Sequence, residues 1–172
     1  MKVNLNFAQT PAGKDICAPI FFLRENSEFE IAERNADCDS LIIAGVAGNG
    51  VVVAKAIINE LQQILSCPLQ FITIAIDKNN PLEVSLSEQS DFDNKTIILV
   101  DDVANSGKIL LYSLKTFLRY QPKSIQTLVL VERSHKLFPV RTDYVGLSIA
   151  TTLQEHIRVQ TEGDKITGAS LH

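Results

Sequence analysis

Thr96-Ile97-Ile98-Leu99-Val100-Asp101-Asp102-Val103-Ala104-Asn105-Ser106-Gly107-Lys108-Ile109 is the stretch from which the rest of this chain is read. The uninterrupted apolar run predicts a strand over Thr96–Val100, of the kind buried on both faces of a parallel sheet. That strand runs straight into two adjacent carboxylates. The residues from Asp101 to Ser106 predict a loop. Gly107 to Tyr120 predicts a helix that buries Leu110, Leu111, Leu114, Phe117 and Leu118, with Pro122 marking its exit. In open sheets of this type, ligands bind beyond the carboxyl ends of the strands, so acids at such an end are candidate site residues.

The pattern repeats on either side. Upstream, Ser40-Leu41-Ile42-Ile43-Ala44 is a second buried-strand run that ends at Gly45. Val51 to Leu65 reads as a helix with Val52, Ala56, Ile57, Leu61 and Ile64 on one face. Gln70 to Ile76 is another strand. Asp77 to Asn94 is a long polar excursion in which Leu82, Val84 and Leu86 alternate, which predicts a short hairpin on a binding loop. Downstream come a strand over Ile125–Val131, a loop over Glu132–Arg141 and a short strand near Tyr144-Val145. The tail from Glu155 to Ser170 alternates as two strands around a turn at Gly163-Asp164. Glu28 to Ala36 fits an entry helix. Alternating strands and helices predict an α/β fold, a right-handed parallel sheet flanked by helices.

The chain has 172 residues, which suits one domain: an entry segment over 1–38, then the core and C-terminal strands over 39–172. With 45% apolar and 21% charged residues, it falls among ordinary globular proteins. No apolar run approaches the ~20 residues that span a bilayer, and Ile20-Phe21-Phe22-Leu23 is too short for a signal core. A cytoplasmic protein with no membrane partner is expected. The formal net charge of -4 argues against a nucleic-acid binder dominated by phosphate contacts. Cys17, Cys38 and Cys67 are scattered and odd in number, so the spacing predicts buried thiols rather than a disulfide framework or a metal site.

Asp101 and Asp102 repel each other, so they call for water, a cation or hydroxyl donors. Vicinal sugar hydroxyls suit them, because ionised carboxylates only accept hydrogen bonds. The helix that follows starts with unpaired N–H groups and a positive dipole end. Ser106 and Gly107 let an anion come close. Sugar acceptors beside a phosphate cradle describe a ribose 5-phosphate site. The plainer alternative is that the acids end a strand and Asn105-Ser106 caps a helix; the combination of strand, acid pair and small-residue loop weighs against it. Two other phosphate motifs fail: Ile109 follows Gly107-Lys108, no glycine stands five residues before Gly107, and no G-x-G-x-x-G follows a strand. Gly45-Val46-Ala47-Gly48-Asn49-Gly50 is either a second cradle, for pyrophosphate, or a bare tight turn. His135, flanked by Arg133 and Lys136, is either a solvated loop residue or a neighbour of the ligand.

The stretch Ile98 to Lys108 resembles the phosphoribosyl-pyrophosphate motif of type I phosphoribosyltransferases: apolar residues, two acids, an apolar residue, two variable positions, Thr or Ser, then Gly. Pro122 to Gln126, Val129 to Lys136 and Pro139 to Gly146 are similar to one branch of that family. Its members are the bacterial pyrimidine-operon attenuation regulators, which double as uracil phosphoribosyltransferases. The similarity runs from about Leu41 to the C-terminus and is strongest over Lys95–Gly146.

The resemblance implies the type I phosphoribosyltransferase fold with a small hood from the termini. It implies transfer of ribose 5-phosphate from phosphoribosyl pyrophosphate to a nitrogenous base, a pyrimidine such as uracil, in a dimer or larger homo-oligomer. Asp101 and Asp102 would be the catalytic acids, holding the ribose hydroxyls directly or through Mg2+. Ala104, Asn105, Ser106, Gly107, Lys108 and Ile109 would hold the 5-phosphate. Gly45, Val46, Ala47, Gly48, Asn49 and Gly50 would hold the pyrophosphate. Val131 to Pro139, with Arg133 and His135, would border the base. The chain departs from the pattern at Ile109, where the family usually has Thr, and at Ala47 and Asn49, where the regulators have Lys and Arg. Lys78 is the only cation where the flexible loop of the regulators carries an aromatic–Arg pair, and no basic N-terminal helix matches theirs. Two expectations follow: an enzyme, or a catalytically weak nucleotide-sensing regulator that binds RNA or a protein.

Overall fold

The apolar runs form the middle of a sheet because only a position covered on both faces suits them. The computed structural model describes residues 14–16, 27–150 and 155–171. In chain order its elements are β1 (Lys14–Ile16), α1 (Ser27–Arg34), β2 (Leu41–Val46), α2 (Asn49–Ile64), β3 (Leu69–Ile76) and β4 (Val84–Leu86), then β5 (Thr96–Ala104), α3 (Lys108–Leu114), β6 (Ser124–Arg133), β7 (Tyr144–Ile149), β8 (Ile157–Glu162) and β9 (Lys165–Leu171). The main sheet has six strands in the order β4-β3-β2-β5-β6-β7. All neighbours are parallel except β4, which pairs antiparallel with β3, so the long excursion contributes one strand to a hairpin rather than holding a whole one. Among the described residues no helix is long and apolar enough to cross a membrane.

Side chains alternate between the two faces of β2 and β5. Ile43, Ile98 and Val100 pack with Val53, Ile57 and Leu61 of α2, whereas Ile42, Ala44 and Leu99 pack with Phe92, Leu110 and Phe117. Phe92 meets Phe117 and Tyr120 edge-on, with ring centroids 5.1 and 5.0 Å apart, a favoured aromatic arrangement. A second, antiparallel sheet of order β1-β9-β8 joins the two ends of the chain as the hood. Its Ile157, Val159, Ala169 and Leu171 are buried on the α2 side of the main sheet. The turn between β8 and β9 falls at Gly163, with φ 58°.

Several boundaries differ from expectation. β5 does not end at Val100 but continues to Ala104, and the expected loop over Asp101–Ser106 shrinks accordingly. The cause is β6, which extends to Arg133 and pairs Val131 with Val103 and Glu132 with Ala104. Glu132 and Arg133 are therefore strand residues, not loop residues. The helix expected over Gly107–Tyr120 ends at Leu114. It tightens into turns bonded three residues apart, Phe117 N–H to Leu114 O and Tyr120 N–H to Phe117 O, each 3.0 Å. The tighter winding keeps Phe117 buried but swings Leu118 out to 71% exposure, so Leu118 is not a core residue. β2 runs through Gly45 to Val46, α2 starts at Asn49, and β7 extends to Ile149.

At the foot of the sheet a buried polar cluster joins three elements. Asn35 Nδ2 donates to Ile31 O and to Gln126 Oε1, Gln126 Nε2 donates back to Asn35 Oδ1, and the Tyr144 hydroxyl donates to Gln126 Oε1 at 2.6 Å. Tyr144→Phe deletes one of these bonds and leaves the others intact. It should cost about 1 kcal/mol, read as a lower urea midpoint at unchanged slope.

Candidate active site

A cavity of about 650 Å³ lies beyond the carboxyl end of β5. Its floor is Asp101 to Leu110; Asn49, Lys78, His156 and the first residues of β8, Ile157–Val159, complete the wall. Ladder pairing of β5 explains the position of the acids. They stand on a strand rather than on a free loop, so Asp101 is 2% exposed and Asp102 8%.

Asp101 Oδ1 accepts the Asp102 N–H at 2.9 Å, and Asp102 Oδ2 accepts Asn49 Nδ2 at 3.0 Å. Among the described residues no ion pair reaches either acid. Burial, and next the neighbouring charge of Asp102, hold the Asp101 carboxyl well above the usual carboxylate range, with Lys78 acting in the opposite direction. The folded protein therefore binds this proton more tightly than the unfolded chain. Between 3.8 and the higher folded value, the unfolded state loses the proton first, so the Asp101 contribution to stability falls as pH rises. Asp101→Asn should remove that decline: its gain in melting temperature over wild type should grow from acid to neutral pH. A gain independent of pH would show that Asp101 does not carry the proton.

The loop after the acids is held from behind. Ser106 O accepts the N–H groups of Leu137 and Phe138 at 3.1 and 3.0 Å, and Ser106 Oγ accepts the Lys108 N–H at 3.2 Å. Gly107 has φ 79°, and a Cβ there would stand 3.3 Å from Phe138 O. Asn105 Nδ2 reaches Ile157 O at 3.5 Å, while its buried Oδ1 has no hydrogen-bond partner among the described residues. The 137–138 segment thus holds the backbone of residues 106–107 at the cavity wall in a conformation that needs glycine.

The other glycine loop brings helix and sheet close together. A Cβ on Gly45 would meet Ala54 Cβ at 3.0 Å, and one on Gly50 would meet Val100 O at 3.0 Å and Asp101 Oδ1 at 3.2 Å. These two glycines let α2 lie close against β2 and β5. Gly48 turns the chain at φ 95°. Gly45, Val46, Ala47, Gly48 and Gly50 are not among the residues that line the cavity; Asn49 is. Its side chain joins three parts of the fold: Nδ2 donates to Asp102 and to Val159 O, and Oδ1 accepts from Thr161 Oγ1 at 3.2 Å.

Arg133 and His135 also stand outside the cavity lining. Arg133 is buried at the end of β6 and donates to Glu155 O; His135 is exposed. Beside them Lys136 pairs with Glu132 at 2.5 Å. Burial pushes the Glu132 carboxyl up, but the bonds from Lys136 and Thr142 outweigh it and hold the group below its ordinary value. His156 and Arg158 line the cavity unannounced by any sequence motif. Alternation predicted a strand here, but not that it folds back over the end of β5.

The sequence profile described as "Phosphoribosyl transferase domain" matches residues 6–162. The chain is 33% identical over 144 residues to "Bifunctional protein PyrR" of Haemophilus ducreyi, covering 77% of this chain and 80% of that one. It is 34% identical over 137 residues to "Pyrimidine operon regulatory protein" of Lactococcus lactis, covering 77% and 79%. In fold it is similar to a mutant hypoxanthine phosphoribosyltransferase from Trypanosoma cruzi, with TM-score 0.68 at 15% identity over 82% of this chain and 85% of that one. A hypoxanthine-guanine phosphoribosyltransferase from Bacillus anthracis gives TM-score 0.58 at 18% identity over 72% and 73%.

Proposed function

We propose, from the premise that this chain belongs to the phosphoribosyl transferase domain family and is a phosphoribosyltransferase, that the base it ribosylates is a pyrimidine, uracil first. The observation that carries the site is the acid pair, buried at a strand end and followed within five residues by the Gly107 turn. Asp101 and Asp102 accept the ribose hydroxyls, and the backbone from Ala104 to Ile109 holds the 5-phosphate with the Ser106 hydroxyl. Lys78 and Arg158, on two walls of the cavity, face the pyrophosphate in place of the cations absent at Ala47 and Asn49. The pyrimidine operon named for the Lactococcus relative supports the choice of base.

Mg2+ fits the acids. Two buried carboxylates without an ion pair form the hard oxygen set that this ion prefers. Among the described residues no third His, Cys, Asp or Glu joins them, so ligand oxygens and water would complete the coordination. Asp101 and Asp102 would hold the ion, and bound Mg2+ neutralises the pyrophosphate. The carboxylates orient the ribose, and the loop anchors its far end, so the reacting carbon is presented to the base in one pose.

Pyrophosphate release from phosphoribosyl pyrophosphate with uracil, cytosine, hypoxanthine and guanine, across a Mg2+ series, tests this reading. Uracil should give the highest kcat/KM; release supported only by a purine would overturn the base assignment. A second reading, a nucleotide-sensing regulator with an RNA or protein partner, is favoured by the regulatory names of the relatives and by the neutral Asn49 beside Asp102. Tight ligand binding with no release on any base would select it.

A cation at Ala47 should raise turnover on uracil. Positioned positive charge stabilises a departing anion, and losing one such group typically costs about 10²–10³ in rate. Ala47 lies one residue beyond β2 and is not in the lining, so Ala47→Lys should recover only part of that, about tenfold. No gain in steady-state kcat at saturating Mg2+ would show that Lys78 and Arg158 already suffice.

A further inference from the structure

Cys38 lies in the connection between α1 and β2, and Cys67 in the connection between α2 and β3. β2 and β3 are parallel neighbours with Leu41 opposite Leu69, so the chain enters both strands from the same end of the sheet. Cys38 stands three residues before Leu41 and Cys67 two before Leu69. The Leu41 N–H donates to Pro68 O at 3.0 Å and ties the two connections together. Sheet register therefore brings the thiols side by side, with the sulfurs 2.8 Å apart. Both are free and half-buried against the α2 side of the core, while Asp37, Asp39, Ser66 and Pro68 beside them are exposed.

We propose that Cys38 and Cys67 are a reversible dithiol–disulfide modification site whose oxidant is a low-molecular-weight disulfide. The Cys67 thiolate attacks one sulfur of the small disulfide, forms a mixed disulfide and releases one small thiolate. Cys38 then gives up its proton to solvent and attacks the Cys67 sulfur, and the second small thiolate leaves. Two protein thiols are oxidised, one small disulfide is reduced to two thiols, and no other reactant is needed. Burial and the hydrogen bond with Cys67 push the Cys38 thiol up to about 12, which disfavours Cys38 as the first thiolate to attack. The bond closes a covalent ring around β2, the turn at residues 47–48 and α2. It lies at the opposite end of β2 from the acids, so it clamps the foot of this unit and leaves the cavity open.

The test is to incubate the full chain with oxidised glutathione, alkylate the remaining thiols, digest and map the peptides. The expected result is a linked Cys38–Cys67 peptide, with two of the three thiols lost and both restored by dithiothreitol. Cys17→Ser should leave the linked peptide unchanged, and Cys67→Ser should abolish it. A linkage through Cys17 would overturn the proposal. So would a glutathione adduct that never closes, or three alkylated thiols under conditions that oxidise a control dithiol peptide.

Discussion

Replacing both acids, Asp101→Asn with Asp102→Asn, should lower the affinity for phosphoribosyl pyrophosphate by about 10²–10⁴-fold while the fold persists. Each carboxylate lost removes a charge-assisted hydrogen bond worth about 1.5–3 kcal/mol, and two such losses give that range. The fold persists because neither acid is ion-paired among the described residues. Their burial, at 2% and 8% exposure, is a cost to the unliganded protein rather than a support. The amide pair keeps the shape and relieves the repulsion. Loss of affinity with a melting temperature equal to or above wild type would separate the site from the scaffold. Calorimetry that found unchanged affinity in the double variant would remove the ribose from this position.

Gly107→Val should abolish stabilisation by inorganic phosphate. At φ 79° a non-glycine residue is strained by about 1–2 kcal/mol. The new Cβ would also press on Phe138 O at 3.3 Å, against the segment that holds Ser106. Relief comes from turning the 106–107 backbone, which takes its N–H groups away from the anion. For wild type, phosphate at a hundred times its Kd adds about 2.7 kcal/mol, or about 5–11 °C in melting temperature for a chain of this size. The variant should show no such rise. Equal rises in both proteins would mean that phosphate binds elsewhere.

The alternation of strands with helices, the two-sided burial of β2 and β5, and the β8–β9 turn at Gly163 were all legible in the residues. Each rests on a local rule: an apolar run needs cover on both sides, side chains alternate along a strand, and a turn needs a residue that tolerates positive φ. The acid pair and the Gly107 turn were legible for the same reason. Their chemistry depends on neighbours within a few positions, and their spacing along the chain survives folding.

What the residues alone did not reveal depends on pieces far apart in sequence. β5 carries Asp101 and Asp102 within its ladder because β6, some twenty residues on, extends to pair with it. Gly45 and Gly50, read as part of either a pyrophosphate cradle or a tight turn, lie against Ala54 and the β5 backbone, a close approach of helix to sheet that the residues alone did not show. Asn49 differs from the family pattern in sequence, but only folding supplies Val159 and Thr161 as its partners. Cys38 and Cys67 looked unrelated, and parallel register sets them in contact. By itself the sequence determined which residues are apolar, which are acidic and where the chain must turn. Tertiary structure alone decided which strand end meets which hood residue, because strand register and sheet packing are set by the whole chain at once.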